Sequence, residues 1–238
     1  MDSFARIPSR RERRAAASVA PRHRHEQAYA AVVLSGSYEE CGSSGRYRVG
    51  PGDVLFHDVF EAHLDRFGAG GAEIVNLALT ARPAARAGRL SDADEFARLA
   101  GADREAALAY LLEHSVHTGS PADDWPDRLA ADLQDDPELR LDDWAACHDL
   151  SAETVSRGFG RLYGVAPCAY RAGARARLAF DKIVRSGDSL AEIAALTGHA
   201  DQSHMTRAVK ALTGITPNRW RRSNPFKTEF AGAAKIGA

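Results

Sequence analysis

Residues 198–217 read GHADQSHMTRAVKALTGITP, and a shift of fifty positions places them over residues 148–167, HDLSAETVSRGFGRLYGVAP. Both segments carry a helix N-cap residue, Ser151 and Asp201, and a helix-ending glycine, Gly164 and Gly214. Both also carry an apolar stripe at positions i, i+4 and i+7. Its members are Val155, Phe159 and Leu162 in the first segment and Met205, Val209 and Leu212 in the second. The repeat therefore predicts two equivalent helices.

A shorter helix is predicted before each of these long ones, over 141–147 and 190–196, with a connection of three residues in each case. A short helix, a tight turn and a second capped helix form the helix-turn-helix pattern. A helix from about Tyr170 to Arg185 is predicted to join the two units. A packing repeat of the solenoid kind usually needs three or more units, so two units favour DNA binding.

The charge distribution supports the same interpretation. The whole chain has 31 basic and 32 acidic residues and a formal net charge of −1. Between residues 151 and 222, however, twelve Arg and Lys face five Asp and Glu. A neutral chain with one basic part indicates that this part alone meets a polyanion. The alternative is that these basic residues form a surface that contacts only solvent.

The N-terminal third has a different pattern. Short apolar runs over 30–34, 54–56 and 74–79 stand beside glycine-rich turns, which predicts a small antiparallel β-domain. After Pro83 the period becomes helical, with helices predicted over 92–100 and 103–117. A Gly-Ser-Pro break at 119–121 is predicted to be a linker.

Composition excludes several classes of protein. The chain has three cysteines and no CxxC pair, which excludes a disulfide framework and a cysteine zinc finger and fits a reducing cytoplasm. It has no run of about 18 apolar residues, so no membrane association is expected. We find no nucleophile triad, phosphate loop or dinucleotide motif, and we predict no catalytic residue. The excess of arginine over lysine hints at a GC-rich bacterial genome.

The repeat resembles the DNA-binding domain of the AraC/XylS family of transcription regulators over roughly a hundred residues, from about Trp125 to Arg222. The resemblance rests on the segments 150–159, 164–167, 191–194, 198–207 and 214–221. It implies a bipartite domain whose two recognition helices enter successive major grooves of double-stranded DNA. It also implies contact with RNA polymerase if the protein is an activator. The chain departs from the family at His199 and Val209, where phenylalanine is usual.

The resemblance also implies which side chains face the DNA. Those expected to face the bases are Glu153, Ser156, Arg157, Gln202, Ser203, His204 and Arg207. Arginine can contact guanine and glutamine can contact adenine through paired hydrogen bonds. Those expected to contact phosphates and position the domain are Arg161, Lys210, Arg221 and Arg222.

The N-terminal part resembles the cupin-like sensor domains attached to this family, through residues 23–25, 29–36, 49–54 and His63. His23 and His25 share one face of a strand, and in metal-binding cupins such a pair joins a third His and a Glu. Here His63 matches the third His, whereas Tyr29 stands at the expected Glu position. We therefore predict an effector pocket without a metal or other cofactor, lined by His23, His25, Tyr29, His57 and His63. A transition metal at His23, His25 and His63 is the alternative.

The predicted fold is thus α+β and multidomain. We expect a small cupin-like antiparallel β-barrel for effector sensing over 15–82, and a helical linker that can mediate homodimer formation over 90–118. An AraC-type DNA-binding domain over 124–222 and a flexible tail over 223–238 are expected to follow. The predicted function is a cytoplasmic, sequence-specific transcription regulator that responds to an unknown small-molecule effector. The alternatives are a cupin-type metal-dependent enzyme with a helical accessory domain, and a degenerate regulator that no longer binds an effector.

Overall fold

A computed structural model describes residues 10–117, 122–136 and 138–223. The predicted linker break at 119–121 and the predicted tail from 224 onward lie outside these residues. The chain divides into two compact units, residues 1–128 with 159–164 and residues 129–158 with 165–238. The predicted boundaries at 15, 82, 90, 118, 124 and 222 stay predictions.

An antiparallel sheet of eight strands forms most of the first unit. The strands are β1 (Arg10–Arg14), β2 (Val19–Arg24), β3 (Tyr29–Gly42), β4 (Gly45–Val49), β5 (Asp53–His57), β6 (Ala62–Ala78), β7 (Ala87–Arg89) and β8 (Val116–His117). The long strand β6 pairs with β1, β2 and β3, and β3 pairs in turn with β4 and β5. Strand β7 pairs with β5 and β8. The predicted antiparallel β-domain is therefore confirmed, while its assignment as a cupin-like barrel stays a prediction.

Both faces of the sheet are buried, which explains the unbroken apolar run at 30–34. Alternate residues of β3 enter two different clusters: Tyr29 and Ala31 lie in one, Ala30 and Val32 in the other. The second cluster is covered by α1 (Ala93–Ala102) and α2 (Arg104–His114). A strand that is buried on both faces loses the apolar–polar alternation of a half-exposed one.

The helices α1 and α2 agree with the sequence prediction because their N-caps are local signals. The Asp92 carboxylate accepts a hydrogen bond from the backbone N–H of Glu95 at 2.8 Å. The Asp103 carboxylate caps the N-terminus of α2 by accepting hydrogen bonds from the backbone N–H groups of Glu105 and Ala106. The predicted second helix ran to His117, but α2 ends at His114, and Val116 and His117 form β8.

Two features of the sheet were not predicted. Strand β1 lies before the predicted domain start at residue 15, and it has no apolar periodicity because Arg11 and Arg13 instead bond to Glu73 on β6. Strand β3 continues to Gly42 through two register shifts. At one of them Gly36 has φ +73°, and a Cβ there would collide with the Gly71 carbonyl. These bulges let one strand serve two parts of the sheet.

The remaining helices follow the predicted repeat. They are α3 (Trp125–Asp135), α4 (Leu141–Cys147), α5 (Ala152–Tyr163), α6 (Pro167–Arg185), α7 (Leu190–Leu196), α8 (Gln202–Thr213) and α9 (Pro217–Arg222). The predicted short helices match α4 and α7, and the long ones match α5 and α8. Gly164 and Gly214 have φ of +69° and +74°, so both end their helices in the left-handed conformation.

The core of the second unit is built from the apolar stripes that define the repeat. Met205 and Val209 of α8 are fully buried, and Ile193 of α7 is buried with them. Phe180 of α6 packs edge-on against Trp220 of α9, with 5.1 Å between ring centroids. No helix in the described part of the chain is both long enough and apolar enough to cross a membrane.

Candidate DNA interface and ligand cavity

The second helices of the two repeats expose their polar side chains. On α5, Glu153, Arg157 and Arg161 are exposed and Ser156 is half-buried, while Val155 and Phe159 face inward and are fully buried. On α8, the exposed residues are Gln202, Ser203, His204, Arg207 and Lys210. Nine of the eleven predicted DNA-facing residues therefore lie on two helices of equivalent position, and the other two, Arg221 and Arg222, lie on α9.

The N-terminus of α8 is fixed by its cap. The Asp201 carboxylate accepts a hydrogen bond from the backbone N–H of His204 at 2.6 Å, and this bond holds the pKa of Asp201 below its usual range. On α5 the Arg157 guanidinium lies 3.1 Å from the Glu153 carboxylate one turn earlier, and both side chains are largely exposed. An exposed pair of this kind is worth little, so Arg157 can exchange Glu153 for another anion at small cost.

The five predicted pocket residues, His23, His25, Tyr29, His57 and His63, line one cavity of about 320 Å³ in the first unit. They come from four strands and one loop position. His23 on β2 is the register partner of His63 on β6, and Tyr29 on β3 is the register partner of His57 on β5. Strand pairing thus brings together residues that are up to 40 positions apart in the chain.

The rings in this cavity are in mutual contact. The His23 ring centroid lies 4.3 Å from that of His63 and 4.9 Å from that of His25. Tyr29 stacks on His57 at 4.2 Å, and its hydroxyl lies 3.3 Å from Nε2 of His63. Four imidazoles and a phenol therefore form one continuous cluster.

Two buried carboxylates that the sequence analysis did not select also line the cavity. Glu40 and Asp65 are 3% and 8% exposed, and they are register partners on β3 and β6. Tyr29 occupies the position where metal-binding cupins have a Glu, and Glu40 enters the cavity from farther along the same strand. Beyond the bulges of β3, the side chains of Tyr38 and Glu40 are buried while that of Glu39 between them is half-buried.

Burial sets the protonation of these groups. It lowers the pKa of His57 to about 4 and that of His63 well below its usual value, and it raises the pKa of Asp65 to about 7 and that of Glu40 well above its usual value. Imidazoles of lowered pKa are neutral near pH 7, the form that accepts hydrogen bonds or ligates a metal.

Two groups of side chains in the cavity have donor atoms close enough to hold one metal ion. The first is His23, His25 and His63, and the second is Glu40, His57 and His63; within each group the ligand atoms lie within 4.8 Å of one another. His63 belongs to both. Imidazole nitrogen with one carboxylate is a donor set suited to divalent transition metals.

Comparison with known proteins places the C-terminal helices in a family. Residues 144–223 match the family model described as "Helix-turn-helix domain". An 85-residue segment is 31% identical to the HTH-type transcriptional regulator ExsA of Pseudomonas aeruginosa and covers 36% of this chain. The segment 144–223 is a helix-turn-helix domain of the AraC type. The matched segment covers about a third (31%) of the length of ExsA.

Solved structures of low sequence identity also align with the chain. The C-terminal domain of AraT, a response regulator from Geobacillus stearothermophilus, aligns over 44% of this chain and 88% of its own, with 22% identity and a TM-score of 0.40. The unsaturated fatty acid-bound ToxT from Vibrio cholerae aligns over 89% of this chain and 93% of its own, with 8% identity and a TM-score of 0.43.

The AraC-type domain carries two local features that bear on its stability. Arg221, predicted to contact a phosphate, donates a hydrogen bond from its guanidinium to the backbone carbonyl of Asp188. His199, which replaces the family's usual phenylalanine, is buried, and its Nδ1 lies 2.8 Å from the Thr197 hydroxyl. That hydroxyl donates to the Ile193 carbonyl at 2.7 Å, so Nδ1 of His199 carries the proton and donates to Thr197.

Proposed function

We propose that the chain is a sequence-specific DNA-binding transcription regulator of the cytoplasm, and that a small ligand in the cavity of its β-domain controls it. The observation that carries the proposal is the pair of equivalent helices α5 and α8 in the AraC-type domain. Each buries one apolar stripe and exposes an arginine at the same repeat position, Arg157 and Arg207. A helix that contacts bases in the major groove needs an apolar face packed on its own domain and a polar face turned to the DNA.

The exposed residues of the two helices supply the chemistry of base and phosphate recognition. Arg157 and Arg207 offer paired donors that suit guanine, and Gln202 offers a donor and an acceptor that suit adenine. Arg161 and Lys210 are placed one further turn along their helices and would neutralise phosphates. The excess of basic residues over 151–222 supplies the salt-dependent part of the affinity.

The cavity supports the ligand-responsive part of the proposal. Its volume of about 320 Å³ lies at the lower end of the range for small-molecule sites, and its lining combines apolar residues such as Ala31 and Ile74 with the histidine cluster. Converging polar groups in an apolar surround fix the orientation of a ligand.

The other partners of the protein follow from the same proposal. Leu112 and Val116 at the end of the helical linker are 67% and 66% exposed, and they offer an apolar contact for a homodimer. RNA polymerase is a partner if the regulator is an activator. The enzyme alternative gains no support, because the matched model is a helix-turn-helix domain and the matched relative is a transcriptional regulator.

The DNA-binding proposal is tested by selecting duplexes from a random library with the full chain and footprinting the selected sequence. We expect protection of two adjacent major grooves, centred about 10 base pairs apart. The double substitution Arg157→Ala with Arg207→Ala should abolish the footprint. The control is Arg98→Ala, which removes an exposed arginine of α1 and should leave the footprint unchanged. Failure to enrich any sequence would contradict the proposal.

The regulatory part is tested in cells with a reporter driven by the selected operator. His25→Ala and His63→Ala should keep operator binding and lose the change in reporter output that the regulator normally produces. If both variants regulate as the wild type does, the histidines have a structural role and the effector site lies elsewhere.

A further inference from the structure

The histidine cavity contains more metal-binding groups than its proposed role as a pocket for an organic effector requires. Three histidines from β2, the loop after it and β6 bring their donor nitrogens within 4.8 Å of one another, and Glu40 approaches the same His63 within the same limit. We infer that the cavity binds one divalent transition-metal ion, with His23, His25 and His63 as nitrogen ligands and Glu40 as the charged ligand. The inference names the ligand class of the proposed effector site, and its regulatory consequence rests on that proposed function.

The distances fit an ion with little rearrangement. Metal–nitrogen bonds of about 2.0–2.1 Å place two ligand atoms at most about 4.2 Å apart. The ligand atoms lie within 4.8 Å of one another inside each group of three residues, so small side-chain rotations bring the atoms of each group within this separation. His23 and His25 are half-buried whereas His63 is 2% exposed, so the site is deep on one side and accessible on the other.

The hydrogen bonds of the ligands fit as well. Nδ1 of His23 lies 2.9 Å from the Pro21 carbonyl. A carbonyl oxygen can only accept, so this nitrogen carries the proton and Nε2 keeps its lone pair for a metal. A hydrogen bond of this kind, from the ring nitrogen that does not bind the metal to a backbone carbonyl, is typical of metal-ligating histidines. Nδ1 of His63 is buried and has no hydrogen-bond partner among the described residues.

The charges of the cavity also favour a cation. Glu40 and Asp65 are both buried, and each lies beside an imidazole. Nε2 of His57 lies 3.5 Å from Glu40, and Nε2 of His63 lies 3.9 Å from Asp65. Burying carboxylates is costly unless they are paired or coordinate a metal. A divalent ion would offset this cost directly, which an uncharged organic ligand would not do.

His57 is assigned a positioning role in this site. Its ring is stacked on Tyr29 and its Nε2 faces the Glu40 carboxylate. From this position it would orient Glu40 toward the ion. The arrangement differs from a three-histidine site with a carboxylate at the position of Tyr29, because here the carboxylate comes from eleven residues farther along β3.

The test is a titration of the untagged, full-length protein with Co²⁺ and Zn²⁺ after removal of metals by a chelator. Visible absorption of bound Co²⁺ and displacement by Zn²⁺ give stoichiometry and affinity. We expect one equivalent per chain. His25→Ala should weaken binding at least about tenfold and Glu40→Gln by about 10- to 100-fold. His25 is half-buried, so its truncation should leave the fold intact, which circular dichroism checks.

The matched control is His114→Ala, which removes an exposed histidine of α2 outside the cavity. Binding by surface histidines would be weakened by this control and not by His25→Ala, and that result would overturn the inference. So would fewer than about a tenth of an equivalent bound in the wild type.

Parallel duplex-binding measurements on the same preparations separate the two proposals. One equivalent of metal without any DNA binding would support the metal site and contradict the regulatory function. DNA binding without metal binding would do the reverse. If both are present, a change in operator affinity on adding Zn²⁺ that is absent in His25→Ala would make the ion the effector.

Discussion

The Glu40 carboxylate lies 3.5 Å from Nε2 of His57, and both residues are at least 97% buried. The two residues belong to strands β3 and β5, which pair directly only through residues 29–32 and 54–57. Glu40 reaches His57 because the register shifts after Val33 and Gly36 bend β3. The contact gives the histidine cavity a carboxyl group where the sequence pattern shows only a tyrosine.

Glu40→Gln should therefore stabilise the metal-free protein while it weakens metal binding. Glutamine has nearly the same shape and its amide N–H can donate to Nε2 of His57, whereas an ionised carboxylate at this position can only accept and has to be desolvated. Thermal unfolding of the chelator-treated protein should show a higher melting temperature for the variant. Glu39→Gln, on the half-buried neighbouring side chain, is the control and should lack this effect. A lower melting temperature for Glu40→Gln would show that the carboxylate stabilises the cavity without an ion.

The helical part of the fold could be predicted closely from the sequence because its signals are local. Each helix is specified by residues within its own length: a cap such as Asp201, a left-handed glycine at its end and an apolar stripe. The repeat then supplied an internal check, since each feature of the first half had a counterpart in the second. The predicted short helices 141–147 and 190–196 are α4 and α7 without a shift.

The cavity was predicted only in part because strand register decides its composition. His23, His25 and His63 could be grouped by their spacing and by family resemblance. Glu40 and Asp65 could not, since the bulges of β3 change which side chains face inward after residue 34. Strand β1 was not predicted for a similar reason: its arginine Arg13 donates a hydrogen bond to Glu73 on a partner strand 60 residues away.

Arg221 illustrates a side chain whose local contact could not be inferred from its place in the repeat. Because it bonds to the partly buried Asp188 carbonyl, Arg221→Ala should lower the free energy of unfolding by about 1 kcal/mol through the loss of this hydrogen bond. Its neighbour Arg222 is exposed. Arg222→Ala should leave stability unchanged and reduce the slope of log affinity against log salt by about one. Equal stability of the two variants in urea would contradict the assignment.

Gly214 allows the stability cost of a left-handed backbone conformation to be measured directly. Its φ is +74°, and nothing lies within 4 Å of an added Cβ, so substitution introduces strain without a clash. Gly214→Ala should cost about 1–2 kcal/mol of stability, and Gly214→Asn should cost less because asparagine tolerates this conformation. Gly187→Ala is the matched control, since that position is also open and lacks a positive φ. Similar losses at 187 and 214 would show that the conformation is not the cause.

His199 should make the AraC-type domain sensitive to acid. Burial lowers the pKa of His199, and the nearby His204 and Arg175 lower it further. The unfolded chain, with an ordinary histidine pKa of about 6.5, then binds the proton more readily than the folded one. Stability is full above that pH and falls as the pH decreases through it. His199→Phe should remove part of the fall in melting temperature between pH 7 and pH 5.

Tryptophan fluorescence is a suitable measurement for this effect, because Trp144 and Trp220 lie in α4 and α9, in the same unit as His199, while the third tryptophan, Trp125, lies at the start of α3. His114→Ala provides the control. An identical pH profile for wild type and His199→Phe would contradict the prediction.

Arg157 and Arg207 occupy equivalent positions but differ in their surroundings, which leads to a final prediction. Arg157 is 3.1 Å from Glu153, so its guanidinium is already oriented by a carboxylate on the same helix face. If both arginines read a base, each alanine variant should cost about 1–3 kcal/mol in operator binding and relax specificity at one base pair. Glu153→Gln should then weaken the discrimination supplied by Arg157 and leave that of Arg207 unchanged. Competition among single-base operator variants measures these effects position by position. Loss of affinity that is uniform over all base pairs, with a shallower salt dependence, would assign the arginine to a phosphate instead.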